Sequence, residues 1–374
     1  MNRDLYKLRI PFDSFWSMRI DTPYSLLVRD GEFAWTCGQC PLDSNGHVLA
    51  PGDLGQQTRH VAQIILRLLE SASLELTSVG KLVVYYVDSG AESVETMLSV
   101  LTDAFGDQIS IVPVAVPYFY YEGMLIEVDV YASSLRQPSK SVIRTDSGLH
   151  IDVVESGRLV STKVTAKAIS GVRAAARGVA LEEAFARIGL QASELLSDHW
   201  FVGMDAERSL MSSLESRGLA TDGGAAVRTI LPRDVELVGE LTFVRMHAPE
   251  PAAITTSMVR DGISLTLRRR GAFFWASARM GRADMSLVEQ TRRAMIAINN
   301  ALVSHGLSFD EVCKATTYYT GSCAEDDLHD NMSIRNSYYS KPGPASTGIP
   351  VSTFLSAESR ISIDITGVES RCRH

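Results

Sequence analysis

Three irregular copies of one pattern fill this chain. A repeat constrains a fold more than any single motif, because each copy must form the same supersecondary unit. The first copy opens with SLLVRDGEFAWTCGQ, two short β-patterned runs split by Asp30-Gly31, a two-residue hairpin turn signal. After the polar loop LDSNGHVLAPGD, apolar residues at Val61, Ile64, Ile65, Leu68 and Leu69 recur at steps of three and four. That spacing predicts an amphipathic helix over Leu54–Ser73. A strand, KLVVYYVD, a second helix over Ser93–Phe105 and a strand pair ending in MLIEVDVYA complete the order β-β-α-β-α-β.

The third copy repeats that order. The hairpin GISLTLRRRGAFFWASARMG turns at Arg270-Gly271; the helix LVEQTRRAMIAINNALVSHG, the strand EVCKATTYYTG, the helix DLHDNMSIRNSYYS and the strand ISIDITGV follow. The second copy is faded: GLHIDVVESGRLVSTKVTA, a helix over Val179–Ile188, the short strand DHWFVGMD, a helix over Ala206–Ser216, and LPRDVELVGELTFVR. By this alignment the hairpins end near Cys37, Ser161 and Ser277, and the last strands centre on Glu127, Val238 and Asp364. The polar, proline-bearing stretches Ser133–Ser141 and Met246–Ala253 separate domains at 1–135, 142–246 and 252–374. Each sheet has two helices for one face and needs a cover for the other. Three such sheets can cover one another, so the expected fold is α+β, three tandem β-β-α-β-α-β domains forming a single-chain pseudo-trimer.

Composition bounds the partners. Lysine and arginine total 36 against 44 aspartates and glutamates, a formal net charge of −8. That argues against a general phosphate-backbone binder, and Arg268-Arg269-Arg270 is read as a solvated hairpin face. No apolar run approaches the ~18 residues of a membrane span. The first residues, MNRDLYKLRIPFDSFW, hold no signal-peptide core, so a cytoplasmic chain is expected. The five cysteines are too scattered for a disulfide framework. Cys37 and Cys40 form a lone C-x-x-C at a strand end, without the second pair a zinc site needs. No phosphate loop, dinucleotide fingerprint or metal motif is present, and no cofactor is expected. His199 is assigned to the core.

In the first copy, DTPYSLLVRDGEFAWTCGQCPLDSNGHV followed by IEVDVYA resembles the reactive-intermediate deaminase (RidA, or YjgF) family, whose motif reads roughly G-P-Y-S and then T-S-G-Q-x-P. The resemblance implies the β-β-α-β-α-β fold, a trimer with sites in the clefts between subunits, and hydrolysis of 2-enamines and 2-imines to 2-keto acids. Carried over residue by residue, Tyr24 matches the motif tyrosine, Cys37 and Ser277 stand at the serine, and Gln39 and Arg279 stand at the glutamine. Glu127 matches the last-strand glutamate that handles water, with Asp364 as its shorter counterpart. The family's carboxylate-clamping arginine is missing from all three copies; Ser346 is nearest its place, and Arg279, Arg335 or Arg228 could supply the cation instead. The third copy also resembles the first lobe of the chorismatases, in which a tyrosine, an arginine and a Pro-Ala-x-Thr-Gly turn come in order. Here these are Tyr319, Arg335 and Pro344–Gly348, which includes Thr347.

The aromatic run Pro117–Tyr121 beside the expected cleft suits a flat ligand, which marks Tyr118 and Tyr120 as binding candidates. Glu127, a carboxylate on the otherwise apolar strand Ile-Glu-Val-Asp, needs a partner or a raised pKa. The leading expectation is hydrolysis of a small metabolite in an interdomain cleft, enamine or imine deamination or related C–N cleavage in a specialised or aromatic pathway. Glu127 or Asp364 would act on water and proton. Tyr24, Cys37, Gln39, Tyr118, Tyr120, Ser277, Arg279, Tyr319, Arg335, Ser346 and Thr347 would bind an aromatic or carboxylate-bearing substrate. Two readings stand beside it: a non-catalytic small-molecule binder or scaffold, and a chorismatase-like hydrolase or lyase acting on a cyclic carboxylate. No nucleic-acid or membrane partner is expected, and further self-association is open.

Overall fold

The computed structural model describes residues 7–12, 15–18, 20–135, 137–221, 225–245, 253–321 and 325–369. Cys323 and Cys372 lie outside them. The chain forms three mixed sheets, one for each copy of the repeat. The first holds β1 (Leu8–Ile10), β2 (Leu27–Asp30), β3 (Phe33–Thr36), β4 (Val79–Val87), β5 (Ser110–Val116) and β6 (Ile126–Ser133), in the order β1-β2-β3-β6-β4-β5. Helices α1 (Leu54–Ser71) and α2 (Ala91–Phe105) precede β4 and β5. The second sheet uses β7 (Ser139–Arg144), β8 (Leu149–Ser156), β9 (Leu159–Lys167), β10 (Leu195–Gly203), β11 (Ala225–Thr229) and β12 (Val235–Val244), with α3 (Ala174–Arg187) and α4 (Ser209–Glu215). The third uses β13 (Ile254–Arg260), β14 (Ile263–Arg270), β15 (Phe273–Met280), β16 (Val312–Tyr319), β17 (Ala345–Pro350) and β19 (Ile361–Val368), with α5 (Leu287–Ser304) and α6 (Glu325–Asn336).

Local sequence explains these elements. The predicted turns are the hairpin turns, with Gly31 and Gly271 at φ of 61° and 59°, a region where a Cβ is strained. Asp53 caps α1 by accepting from the Gln56 N–H at 2.9 Å, and Val61, Ile65, Leu68 and Leu69 form its buried stripe. Each unit also carries an outer strand (β1, β7 or β13) that no hairpin signal announced, because β7 and β13 are largely exposed and lack an alternating apolar face. A further strand, β18 (Thr353–Phe354), comes from the third copy yet pairs with β11 of the second sheet. Phe354 is buried there.

The three sheets meet in a ring. Strands β4 and β5 contact β8 and β9; β10 and β11 contact β14, β15 and β19; β16 and β17 contact β2 and β3. The same edge of each domain therefore packs on the hairpin of another, and the last closes on the first. Tyr85, Phe201 and Tyr318 occupy equivalent places in β4, β10 and β16; the two phenols hydrogen-bond at 3.0 Å and Phe201 packs on Tyr318. Aromatic rings thus fill the pseudo-threefold axis.

Register corrects the alignment of the copies. Trp35 faces Tyr131 as Ser161 faces Thr242 and Trp275 faces Thr366, while Lys81, Ser197 and Lys314 pair with those same three residues. Counting two residues back, Asp129, Glu240 and Asp364 are equivalent; two more give Glu127, Val238 and Ser362. Asp364 is therefore the counterpart of Asp129 and not of Glu127. By the same count Lys163, not Ser161, is the counterpart of Cys37 and Ser277. A slip of two residues keeps the same face of a strand, so periodicity alone could not detect it.

Candidate functional site

Where the first and third domains meet, a cleft with about 790 Å³ of atom-free space opens to solvent. Both sides are held by backbone and hydroxyl contacts: the Ser25 N–H donates to the Pro344 carbonyl at 3.0 Å, and the Ser25 hydroxyl to the Gly343 carbonyl at 2.8 Å. Glu127 projects into the cleft from β6. Its carboxyl lies against Gly38, where an added Cβ would sit 1.7 Å from Oε1. Only glycine in this position leaves room for the acid.

Glu127 makes no hydrogen bond or ion pair with any described residue. Burial, reinforced by the neighbouring Asp129 and opposed by Lys314, pushes it up to about 8. At neutral pH it is a buried carboxylic acid that retains its proton. Behind it, Lys314 pairs with Asp129 at 2.7 Å and donates to the Thr347 hydroxyl at 2.5 Å. Thr347 accepts from the Gly38 N–H at 2.8 Å and donates to Asp129 at 2.6 Å. This network ties Gly38, the floor under Glu127, to the third domain.

Arg335 lies on the opposite side of the cleft. It projects from α6, is buried, and is held by the Asn331 side-chain oxygen at 2.9 Å and the Thr317 hydroxyl at 3.1 Å. No carboxylate among the described residues pairs with it. Tyr24 is buried beside it; burial raises that phenol, and Arg335 and a hydrogen bond with Ser346 pull it partly back. A desolvated cation with two bonds spent on neutral groups retains donors for an anion.

Seven sequence-predicted residues line this one cleft: Glu127, Tyr24, Cys37, Tyr120, Tyr319, Arg335 and Ser346. The thiols of Cys37 and Cys40 both reach the Gly38 carbonyl, and burial pushes both well above the usual thiol range, so neither is an activated nucleophile. Gln39 lies behind the wall, where it accepts from the Trp16 indole at 3.3 Å and donates to the Cys37 carbonyl at 3.0 Å. Thr347 is part of the buried network. Tyr118 donates to the Gly321 carbonyl at 2.9 Å, pinning the aromatic loop to the third domain.

Ser277, Arg279 and Asp364 are not brought to this cleft. They lie at the interface of the third and second domains, with Ser277 facing Asp364 across β15 and β19. Asp364 is raised to about 6 by burial, against the pull of His199, whose Nε2 is 3.8 Å away. His199 is a bridge as well as a core residue. Its Nδ1 meets Glu240 at 2.7 Å, and Glu240, despite burial, is held at about 2 by Lys81 and His199. Arg228 binds the carbonyls of Gly203, Met204 and Ala206 in the second domain and does not line the cleft of Glu127. Arg268, read as a solvated face, is buried against Asp198 at 2.7 Å. Sequence reasoning passed over Gly38, Asp129, Lys314 and Trp16. A lysine at the same place in KLVVYYV and CKATTYY was the available signal for the first-to-third-domain pair.

Residues 17–134 match the model of the endoribonuclease L-PSP family. RutC family protein PH0854 of Pyrococcus horikoshii is 38% identical over 66 residues, 18% of this chain and 52% of that protein. RutC family protein PYRAB12510 of Pyrococcus abyssi is 33% identical over 85 residues, 23% and 65% of the two lengths. This family match lies in the first domain. The matches to these curated relatives span only 52% and 65% of their lengths. Among solved structures, Rv2704 of Mycobacterium tuberculosis, a YjgF/YER057c/UK114 family member, is 22% identical, covers 32% of this chain and 98% of its own, and has a TM-score of 0.27. A chorismatase is 10% identical, covers 78% and 93%, and has a TM-score of 0.48. The cleft described above takes Glu127 from the first domain and Arg335 from the third.

Proposed function

We propose that the cleft between the first and third domains hydrolyses a small unsaturated carboxylic acid at a C–N bond, with Glu127 as the proton donor and Arg335 as the carboxylate anchor. The observation that carries this reading is a buried, proton-retaining acid in one cavity with a buried arginine that no described carboxylate neutralises. For a 2-enamine, Glu127 gives its proton to the β-carbon and the C=C electrons form that new C–H bond, leaving an iminium at the α-carbon. Water attacks the α-carbon while ionised Glu127 takes a proton from it. The carbinolamine then collapses: Glu127 gives its proton to the nitrogen, the C–N bond breaks as ammonia leaves, and the hydroxyl proton returns to Glu127 as the carbonyl of the 2-keto acid forms. A general acid of this kind contributes about 10²–10⁴ in rate. Arg335 replaces the clamp missing from β17, where Ser346 stands, and approaches the substrate from a helix instead of a strand.

The test is ammonia release from enzymatically generated 2-imino acids. Glu127→Gln should lower kcat by about 100-fold or more, and Arg335→Gln should act mainly on KM. Release no faster than the spontaneous rate in the wild type would sink the reading and leave a binding protein.

A further inference from the structure

We infer that the acid taken by this cleft carries its carboxylate on a flat ring or an aryl side chain, and that Trp16 is the residue that selects it. The inference rests on the reading of Glu127 and Arg335 above and adds what the rest of the cavity selects. The polar groups described above cluster around the acid and the arginine; the remaining wall is apolar. Phe12 and Trp16 from the arm before β2, Phe119 from the loop after β5, and Leu328 and Met332 from α6 close around the space.

Trp16 is fixed in a way that favours a ring. Its indole N–H is spent on Gln39 at 3.3 Å, and Phe12 meets it edge-to-face with centroids 4.9 Å apart. The indole therefore offers its apolar surface to the cavity, and its orientation is set before a ligand arrives. Gln39, expected to touch substrate, acts as a positioning residue for that ring. Tyr120 packs edge-to-face on Tyr121 at 5.4 Å and reaches His329 of α6 at 3.5 Å, which holds the aromatic loop to the opposite wall.

A short aliphatic imino acid would satisfy Arg335 and Glu127 but make no aromatic contact with the buried Trp16 and Phe119, whereas an aryl group would gain that contact. Among the described residues Arg335 is the one cation that lines the cleft, and it offers a partner for one carboxylate.

The test measures binding by calorimetry on the full chain, with inert keto acids in place of the labile imines. Phenylpyruvate and indole-3-pyruvate should bind at least about tenfold more tightly than pyruvate or 2-oxobutyrate. Trp16→Ala should erase that preference by weakening the aryl acids at least about tenfold more than pyruvate, whereas Arg335→Gln should weaken all four acids. If Trp16→Ala does not fold, Met332→Trp serves instead: it fills the apolar wall and should exclude the aryl acids while sparing pyruvate. Equal affinity for aryl and short acids, or a Trp16 effect that falls equally on both, would overturn the inference. Ammonia release from short imino acids under those results would leave the Glu127–Arg335 reading standing. Absence of binding by any of the four acids overturns the inference together with the anchor role of Arg335.

Discussion

Replacing Glu127 by glutamine should inactivate the protein and stabilise it at the same time. In the unfolded chain Glu127 ionises near its ordinary 4.5, whereas in the folded cleft it does so near 8. Between those values the folded state retains a proton that the unfolded state has released, so stability falls as pH rises through this window and is level outside it. At about 1.4 kcal/mol per pH unit, the loss relative to a neutral side chain is about 1 kcal/mol at pH 5, about 3 kcal/mol at pH 7, and reaches a plateau of about 5 kcal/mol above pH 8. Glutamine has nearly the shape of the protonated acid and no proton to lose. Urea unfolding of both proteins at pH 5, 7 and 9 reads the difference. Any packing change contributes the same offset at every pH, so the growth of the gap with pH is the diagnostic quantity. A gap that is constant with pH, or a variant that becomes relatively weaker as pH rises, would refute the claim that Glu127 is buried as an acid without a compensating partner.

Three further outcomes follow from the same contacts. Gly38→Ala places a methyl group 1.7 Å from the present position of Glu127 Oε1; the carboxyl must move, and ammonia release should fall by at least tenfold while circular dichroism stays that of the wild type. Lys314→Met strands the buried Asp129 charge and should cost about 3–5 kcal/mol in urea unfolding. The double variant Lys314→Met, Asp129→Asn should recover most of that loss. Asp364→Asn should leave ammonia release within about twofold of wild type, because Asp364 faces Ser277 and His199 in a different interface; a loss comparable to that of Glu127→Gln would show the cleft has been assigned to the wrong carboxylate.

Much of the architecture was legible because it depends on local signals that sum. Asp30-Gly31 and Arg270-Gly271 announced their hairpins, and the stripe from Val61 to Leu69 announced α1. β13 was illegible because a strand with both faces near water has no period to read. β18 was hidden for another reason: two residues cannot show a period, and their partner strand lies more than 120 residues earlier. At the site, Glu127 stood out as a charge in an apolar strand, and Arg335 was already among the candidate cations. What could not be read was pairing across domains. Asp364 and Glu127 looked equivalent because both are acids on last strands, and only the ladders show that they are offset by one pleat repeat. Gln39 looked like a ligand contact because it sits in a binding motif; its Trp16 partner is 23 residues away.

The closure of the ring by its two ends has a consequence for the chain during synthesis. Glu127 lies in the first domain and Arg335 in the third, and the second sheet has its β18 partner only once residues 353–354 have emerged. An elongating chain can build the first domain's core early, but it holds Glu127 without Arg335 until the third domain is made. A product truncated after β12 would expose the bare edge of β11 and half of a cleft, which is a substrate for quality control and not for catalysis. The cleft is therefore complete only once the third domain has been made.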